Sequence, residues 1–196
     1  DRIGLVDTRF EVLKRDAEIA ALRRQRALRP LVDARAEGQE LQALQAGWSA
    51  ASVVLVVGEA GMGKSRLLQA WAAGHEPMLL SSCRPGDSLV PYASIARLLN
   101  QALQATPEAL GDEARERLAP VLPGLLNQAP TAPPRRGSLV APVQALLQRA
   151  SVSVDGFVLD DLHFADQASI ELLQSLLAAP RGDHPLRWCL GLRPPA

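Results

Sequence analysis

The chain has 196 residues, of which 21 are Lys or Arg and 21 are Asp or Glu, so its formal net charge is zero. A chain without net charge creates no long-range field for attracting nucleic acid or an anionic membrane, and no apolar run approaches the ~20 residues of a membrane span. Hydrophobic residues make up 47% of the chain, which is enough for a buried core. Cys83 and Cys189 match no metal-ligand spacing, and we expect a reducing, cytoplasmic setting.

The first part of the chain has the composition of helices. Residues 11–28 are rich in strong helix formers and Pro30 ends the segment, which predicts one helix. Residues 35–47 predict a second helix, with Leu41 and Leu44 on one face. We expect residues 1–30 to be a linker helix or the tail of a preceding domain.

Four short hydrophobic segments alternate with helical segments in the rest of the chain. The predicted strands are 53–57, 78–82, 156–161 and 187–192. The predicted helices are 64–73, 93–105, 107–118 with Pro107 in its first turn, 138–150, and 165–179 with Asp166 as N-cap. A Pro-rich connector occupies 127–137. This alternation predicts an α/β fold with a mostly parallel sheet and helices on both faces.

The segment GEAGMGKS, residues 58–65, has the spacing of a phosphate-binding loop, G-x-x-x-x-G-K-[ST], and lies between a buried strand and a helix. Its glycines let successive N–H groups turn inward around an anion, and the next helix presents its positive end. We expect Lys64 to reach the β- and γ-phosphates and the Ser65 hydroxyl to ligate Mg²⁺. The residues expected to contact the nucleotide are Gly58, Glu59, Ala60, Gly61, Met62, Gly63, Lys64, Ser65 and Arg66.

The segment FVLDD, residues 157–161, is a hydrophobic strand that ends in two carboxylates. Such a strand carries Asp160 to the carboxyl edge of the sheet, where ligands of α/β proteins bind, and Asp160 is expected to hold Mg²⁺. Asp161 is placed to polarise an attacking water. The alternative is that the two aspartates only end the strand and start a turn. His163 is a packed or loop histidine or orders the site, and the residues do not decide between these.

Three blocks occur in order along the chain: GEAGMGKSRLL, SCRPGDSLVPYASIARLL and VLDDLHFADQASIELLQSLL. Together they resemble the AAA-type ATPase domain of the STAND class of signalling NTPases, found in bacterial LuxR-type regulators and in cyclase- or kinase-linked proteins. The resemblance covers residues 31–193. It implies a three-layer P-loop NTPase sandwich over residues 31–196, without the lid and the later strand of the family. It also implies the sheet order 1-4-3-2 when the four predicted strands are numbered along the chain.

The resemblance also implies a chemistry. Proteins of this class exchange ATP and ADP with Mg²⁺ and hydrolyse ATP slowly, and an arginine after the last strand, here Arg193, reads the γ-phosphate. The catalytic candidates are therefore Lys64, Asp160, Asp161 and Arg193. One block departs from the family: its G-R-E-x-E-L box near the adenine corresponds to LVDARAEGQEL, where Asp33 and Ala34 replace the glycine and the arginine.

The preferred hypothesis is a Mg-ATP-binding switch domain, with weak ATPase activity, of a multidomain bacterial signalling or transcription-regulatory protein. We expect nucleotide, self-association or intramolecular regulatory domains as its partners, and neither direct nucleic-acid binding nor a membrane. One alternative is a scaffold module that binds nucleotide without hydrolysing it. A less favoured alternative is a small-molecule P-loop kinase, since the connector at 127–137 makes a poor lid, with no clustered arginines beyond Arg135 and Arg136.

Overall fold

The computed structural model of the chain describes residues 4–5, 37–74, 77–106, 110–125, 139–179 and 186–194. The predicted helix at 11–28, the first six residues (31–36) of the segment matched to the adenine box and the connector at 127–137 lie outside these residues. The helices are α1 (Glu37–Ala50), α2 (Lys64–Ala73), α3 (Ala93–Ala105), α4 (Asp112–Leu118), α5 (Val140–Ala150) and α6 (Gln167–Ala178). The strands are β1 (Gly4–Leu5), β2 (Val53–Val57), β3 (Met78–Ser82), β4 (Gly156–Asp160) and β5 (Trp188–Leu192).

The strands form one sheet in the order β1-β2-β5-β4-β3, and every neighbouring pair is parallel. The four strands predicted from the sequence are β2 to β5, and their order along the sheet is first, fourth, third, second. The α/β fold and the order 1-4-3-2 are therefore confirmed. The two-residue β1, which pairs with the edge of β2, was not predicted.

Alternate residues of each central strand enter two different hydrophobic clusters, as the pleat of a strand requires. Val158 of β4 and Cys189 of β5 pack with the buried side chains of α1 and α2, among them Trp48 and Trp71. Their strand neighbours belong to the larger cluster, which includes buried residues of α3, α5 and α6: Phe157, Leu159, Trp188, Leu190 and Leu192. The sheet is thus covered on both faces, and the molecule has three layers.

The helix predicted at 107–118 begins later than expected. Gly111 has an extended conformation, with φ −64° and ψ 160°, and α4 starts at Asp112. Leu110 and Gly111 stand outside this helix, and Pro107, predicted in its first turn, lies outside the described residues. Both cysteines are free and buried. Of the helices in the described ranges, none has the length and apolar character needed to cross a bilayer.

The amino-terminal edge of β4 is closed by a cluster of side chains around Trp48 of α1. The Trp48 Nε1–H donates to Asp155 Oδ2 at 2.9 Å, and Arg187 donates to Asp155 Oδ1 at 2.8 Å while lying 4.1 Å from the Trp48 ring centroid. The indole fills the space over Gly156, since an ideal Cβ there would lie 2.6 Å from Trp48 Cζ2. This glycine therefore permits α1 to pack closely on the sheet.

Candidate functional site

The loop between β2 and α2 lies at the carboxyl edge of the sheet. The Gly58 N–H donates to the carbonyl of Leu192 at 3.3 Å, which ties the start of the loop to the end of β5. Gly61 and Gly63 have φ values of +79° and +82°, in the left-handed region that residues with a Cβ rarely adopt. Gly63 is the N-cap of α2. The glycines thus turn the backbone so that the first helical residue, Lys64, follows the loop directly.

Lys64 is buried, with 9% of its surface exposed, and its Nζ donates to the carbonyl of Glu59 at 2.9 Å. Its methylene stem passes Gly58, where an ideal Cβ would lie 3.4 Å from Lys64 Cγ and Cδ. Burial lowers the pKa of Lys64, and the cation of Arg193 acts in the same direction, while Asp160 and Asp161 oppose the shift. The buried Lys64 ammonium thus lies at the amino-terminal end of α2, close enough to Asp160, Asp161 and Arg193 to be influenced by their charges.

Asp160 ends β4 and has only 2% of its surface exposed. Its Oδ1 accepts a hydrogen bond from the N–H of Asp161 at 2.7 Å. Asp161 has φ +54° and ψ 39°, a left-handed conformation that is uncommon for a residue other than glycine and occurs often at functional sites. The chain leaves the strand here into a short 3₁₀ turn, Leu162–Phe164.

His163 and Arg193 bring unpartnered nitrogen atoms to the same edge. Arg193 Nε and both ring nitrogens of His163 are buried and make no hydrogen bond within the described part of the chain. The Arg193 guanidinium lies 5.4 Å from the Phe164 ring centroid, and His163 Nδ1 lies 3.8 Å from Asp161 Oδ1. Buried polar atoms normally have partners, so these three nitrogens retain the capacity to hydrogen-bond a polar group.

Burial lowers the pKa of His163, and the cations of Arg193 and Lys64 lower it further, while Asp161 and Asp160 act in the opposite direction. The imidazole is therefore neutral at neutral pH, with one nitrogen able to donate and the other able to accept. A neutral ring beside two cations and two carboxylates adds hydrogen-bonding capacity without adding charge.

The structure brings four of the sequence-predicted residues together: Lys64, Asp160, Asp161 and Arg193. Ser65 lies half-buried in the first turn of α2, where the first backbone N–H groups of a helix are free for an anion. The other predicted contact residues keep exposed or half-exposed positions around the loop: Gly58, Glu59, Ala60, Gly61, Met62, Gly63 and Arg66.

A second buried carboxylate, Asp166, lies six residues after Asp160 and has the same 2% exposure. It is the N-cap of α6, as predicted, and accepts hydrogen bonds from Ser169 N at 2.8 Å and Ser169 Oγ at 2.6 Å. It also accepts from Tyr92 N at 2.7 Å and Ser94 N at 3.1 Å, so it caps α3 as well. The second cap was not predicted, because nothing in the sequence indicates that α3 begins beside α6.

Burial alone would raise the pKa of Asp166, but the hydrogen bonds from Ser169, Ser94 and Tyr92 outweigh it and hold the pKa below the usual value. Asp87, next to α3, is similar: burial opposes ionisation, while Arg97 and the N–H of Arg84 lower the pKa of its carboxyl. These two carboxylates are saturated by the protein itself.

A family model described as "AAA ATPase domain" matches residues 11–189. Because the match covers most of the chain, this protein belongs to the AAA ATPase domain family, and nucleotide binding is the property that membership indicates. No curated protein and no solved structure matches the chain.

Proposed function

We propose that this domain binds Mg-ATP and Mg-ADP at the loop Gly58–Ser65 and hydrolyses ATP slowly. The observation that carries the proposal is the convergence of a buried lysine, two carboxylates and unpartnered nitrogens of His163 and Arg193 at one edge of the sheet. Membership of the AAA ATPase domain family also supports nucleotide binding.

The residues present fit a triphosphate and a divalent cation. The left-handed glycines leave the loop backbone exposed at the start of α2, which is the geometry that accepts phosphate oxygens. Asp160 and Ser65 supply the oxygen ligands that Mg²⁺ prefers. When bound, Mg²⁺ neutralises the charge that develops on the phosphate oxygens.

Each residue of the cluster has a distinct part in this proposal. Lys64 binds the β- and γ-phosphates, exchanging the Glu59 carbonyl for phosphate oxygens as acceptors of its N–H groups. Asp161 orients the attacking water and accepts its proton at the carboxylate. Arg193, held over the Phe164 ring, donates to the terminal phosphate. Slow hydrolysis is what the resemblance implies; an arginine supplied by a second subunit would raise the rate by about 10³–10⁵.

The finer proposal is that this ATPase is a switch domain of the STAND class in a cytoplasmic signalling or transcription-regulatory protein. It rests on the three sequence blocks and their order, and it implies self-association or contact with regulatory domains that depends on the bound nucleotide. The replacement of the family's glycine and arginine by Asp33 and Ala34 favours a second candidate, a scaffold that binds nucleotide without turnover.

Calorimetry with Mg-ATP and Mg-ADP on the wild type and on Lys64→Ala tests the binding proposal. Lys64 would contact the β- and γ-phosphates of ATP and the β-phosphate of ADP, so its loss should weaken both nucleotides, and ATP at least about 100-fold, or about 2.7 kcal/mol. Arg115→Ala, which removes an exposed cation from α4, is the control and should bind as the wild type does. Equal affinity of Lys64→Ala and the wild type would overturn the proposal.

Phosphate release separates the switch from the scaffold. The ATPase predicts measurable turnover in the wild type and at least about a 100-fold loss in Asp161→Asn, with nucleotide affinity retained. Tight binding without turnover in the wild type would favour the scaffold instead.

A further inference from the structure

Gly191 is a glycine inside β5, a strand whose five residues are all buried. Glycine weakens a strand interior, and it is retained where another group approaches closely. The backbone of Gly191 does not have a positive φ, unlike Gly61, Gly63 and Gly86, so its conformation does not require glycine. The reason must therefore be space.

The space over Gly191 is filled by the carboxylate of Asp160 from the neighbouring strand. An ideal Cβ on Gly191 would overlap Asp160 Oδ1 and would lie 3.2 Å from Asp160 Cγ. It would also lie 2.9 Å from Cδ1 of Leu68 in α2. The end of a leucine can shift, but the Asp160 carboxylate is buried and has little room to do so.

The oxygen that occupies this space also fixes the backbone beyond it. Asp160 Oδ1 accepts the N–H of Asp161 at 2.7 Å, and Asp161 is held in the left-handed region at φ +54°. A displaced Oδ1 would lose this hydrogen bond. Asp161, which precedes the 3₁₀ turn that contains His163, would then be free to change conformation. One absent methyl group therefore governs the placement of both carboxylates.

We propose that Gly191 is a positioning residue for the metal-binding carboxylate. Its missing side chain lets Asp160 adopt the rotamer that ligates Mg²⁺, and the hydrogen bond from Asp161 to Oδ1 transmits this placement to the second carboxylate. Strand β5 thus contributes to the metal site through Asp160 of the neighbouring strand, in addition to the phosphate contact proposed for Arg193 at its end. The inference rests on the proposed Mg-nucleotide site.

The structure offers a matched control in Gly156. It is also a buried strand glycine whose Cβ would overlap neighbouring atoms, but these are the Trp48 ring and the Arg187 carbonyl at the opposite edge of the sheet. Gly156→Ala and Gly191→Ala should both lower the melting temperature through steric overlap. Only Gly191→Ala should alter the response to metal.

The test is calorimetric binding of ATP in excess Mg²⁺ and in EDTA, for the wild type, Gly191→Ala, Gly156→Ala and Asp160→Asn. The ratio of the two dissociation constants measures how far Mg²⁺ tightens binding. Gly191→Ala and Asp160→Asn should each reduce this ratio at least about tenfold. Gly156→Ala should keep the wild-type ratio.

The outcomes separate the two proposals. A wild type without any Mg²⁺ dependence, or an Asp160→Asn variant that retains it, contradicts the proposed metal site. A Gly191→Ala variant that keeps the wild-type ratio while Asp160→Asn loses it overturns the inference about Gly191 alone.

If Gly191→Ala does not fold, the double variant Asp160→Ala/Gly191→Ala is compared with Asp160→Ala by thermal melting. Removing the carboxylate opens the space for the new Cβ, so Asp160→Ala/Gly191→Ala should fold and melt close to Asp160→Ala. A double variant that also fails to fold would contradict the proposal.

Discussion

Asp160 and Asp166 are buried to the same extent, each with 2% of its surface exposed, but their surroundings differ. Asp166 accepts hydrogen bonds from Tyr92, Ser94 and twice from Ser169, which satisfies the carboxylate within the protein. In the described part of the chain, Asp160 accepts one, from Asp161. Burial alone therefore does not separate the two carboxylates; the number of hydrogen-bond partners does, and it supports the proposal that Asp160 is the ligand-binding one.

Each aspartate also holds a neighbouring residue in the left-handed conformation. Asp166 accepts the N–H of Tyr92, which has φ +64°, and Asp160 accepts the N–H of Asp161, which has φ +54°. Conformations of this kind cost about 1–3 kcal/mol and persist where the surroundings hold them. At Asp166 the result is the junction of two helices, and at Asp160 it is the orientation of a second carboxylate.

The largest effect on stability is expected at Asp166, whose carboxylate has its hydrogen-bonding capacity filled by donors of the protein. Asp166→Ala leaves the donors of Tyr92, Ser94 and Ser169 without their acceptor in a buried place, which should lower the free energy of unfolding by about 3 kcal/mol or more. Urea unfolding measures the change. Gln167→Ala, at the exposed next position, is the control and should stay within about 0.5 kcal/mol of the wild type. A change below about 1 kcal/mol in Asp166→Ala would contradict the structural role.

The pH dependence of stability tests the structural role of Asp166 independently. The pKa of Asp166 is lowered in the folded protein, because its hydrogen bonds outweigh the effect of burial. Its stabilising contribution is therefore complete above the unfolded pKa of about 3.9 and is lost as pH falls through the lower folded pKa. As pH falls below about 5, the unfolding free energy of the wild type should decrease more steeply than that of Asp166→Ala. Parallel curves would contradict this assignment.

The smallest effect on stability is expected at Asp160. Asp160→Asn keeps an oxygen that can accept the N–H of Asp161, and it removes the charge that acts on the Lys64 ammonium. The unfolding free energy without nucleotide should change by no more than about 1 kcal/mol. A loss as large as that of Asp166→Ala would show that the two carboxylates do not differ in role.

The sequence predicts the parts of this fold that have local signals. The apolar runs of β2 to β5, the glycine spacing of residues 58–65 and the aspartate before α6 each depend on a few consecutive residues. The strand β1 was missed because two residues carry no periodicity. The start of α4 was placed too early because Pro107 is favourable in a first helical turn, whereas Gly111 keeps the extended conformation that delays the helix to Asp112.

The features that depend on register could not be predicted. Gly191 lies beside Asp160 because β4 and β5 pair with Leu159 opposite Leu190, and the sequence carries no signal for this pairing of distant segments. The second cap made by Asp166, on α3, likewise depends on how two helices pack. A glycine within an otherwise hydrophobic strand was the available signal, and it indicates a close approach without identifying the partner.

The most direct test of the account compares the melting temperatures of the wild type, Asp160→Asn and Asp166→Ala with and without Mg-ATP. At a hundred times its dissociation constant, a ligand of the folded state adds about 2.7 kcal/mol of stability. We predict that Asp160→Asn melts near the wild type without nucleotide and loses at least about half of the Mg-ATP stabilisation, since a tenfold weaker ligand at the same concentration adds only about 1.4 kcal/mol. We predict that Asp166→Ala melts lower and retains the shift. The opposite pattern, in which Asp160→Asn responds to Mg-ATP and Asp166→Ala does not, would contradict the account.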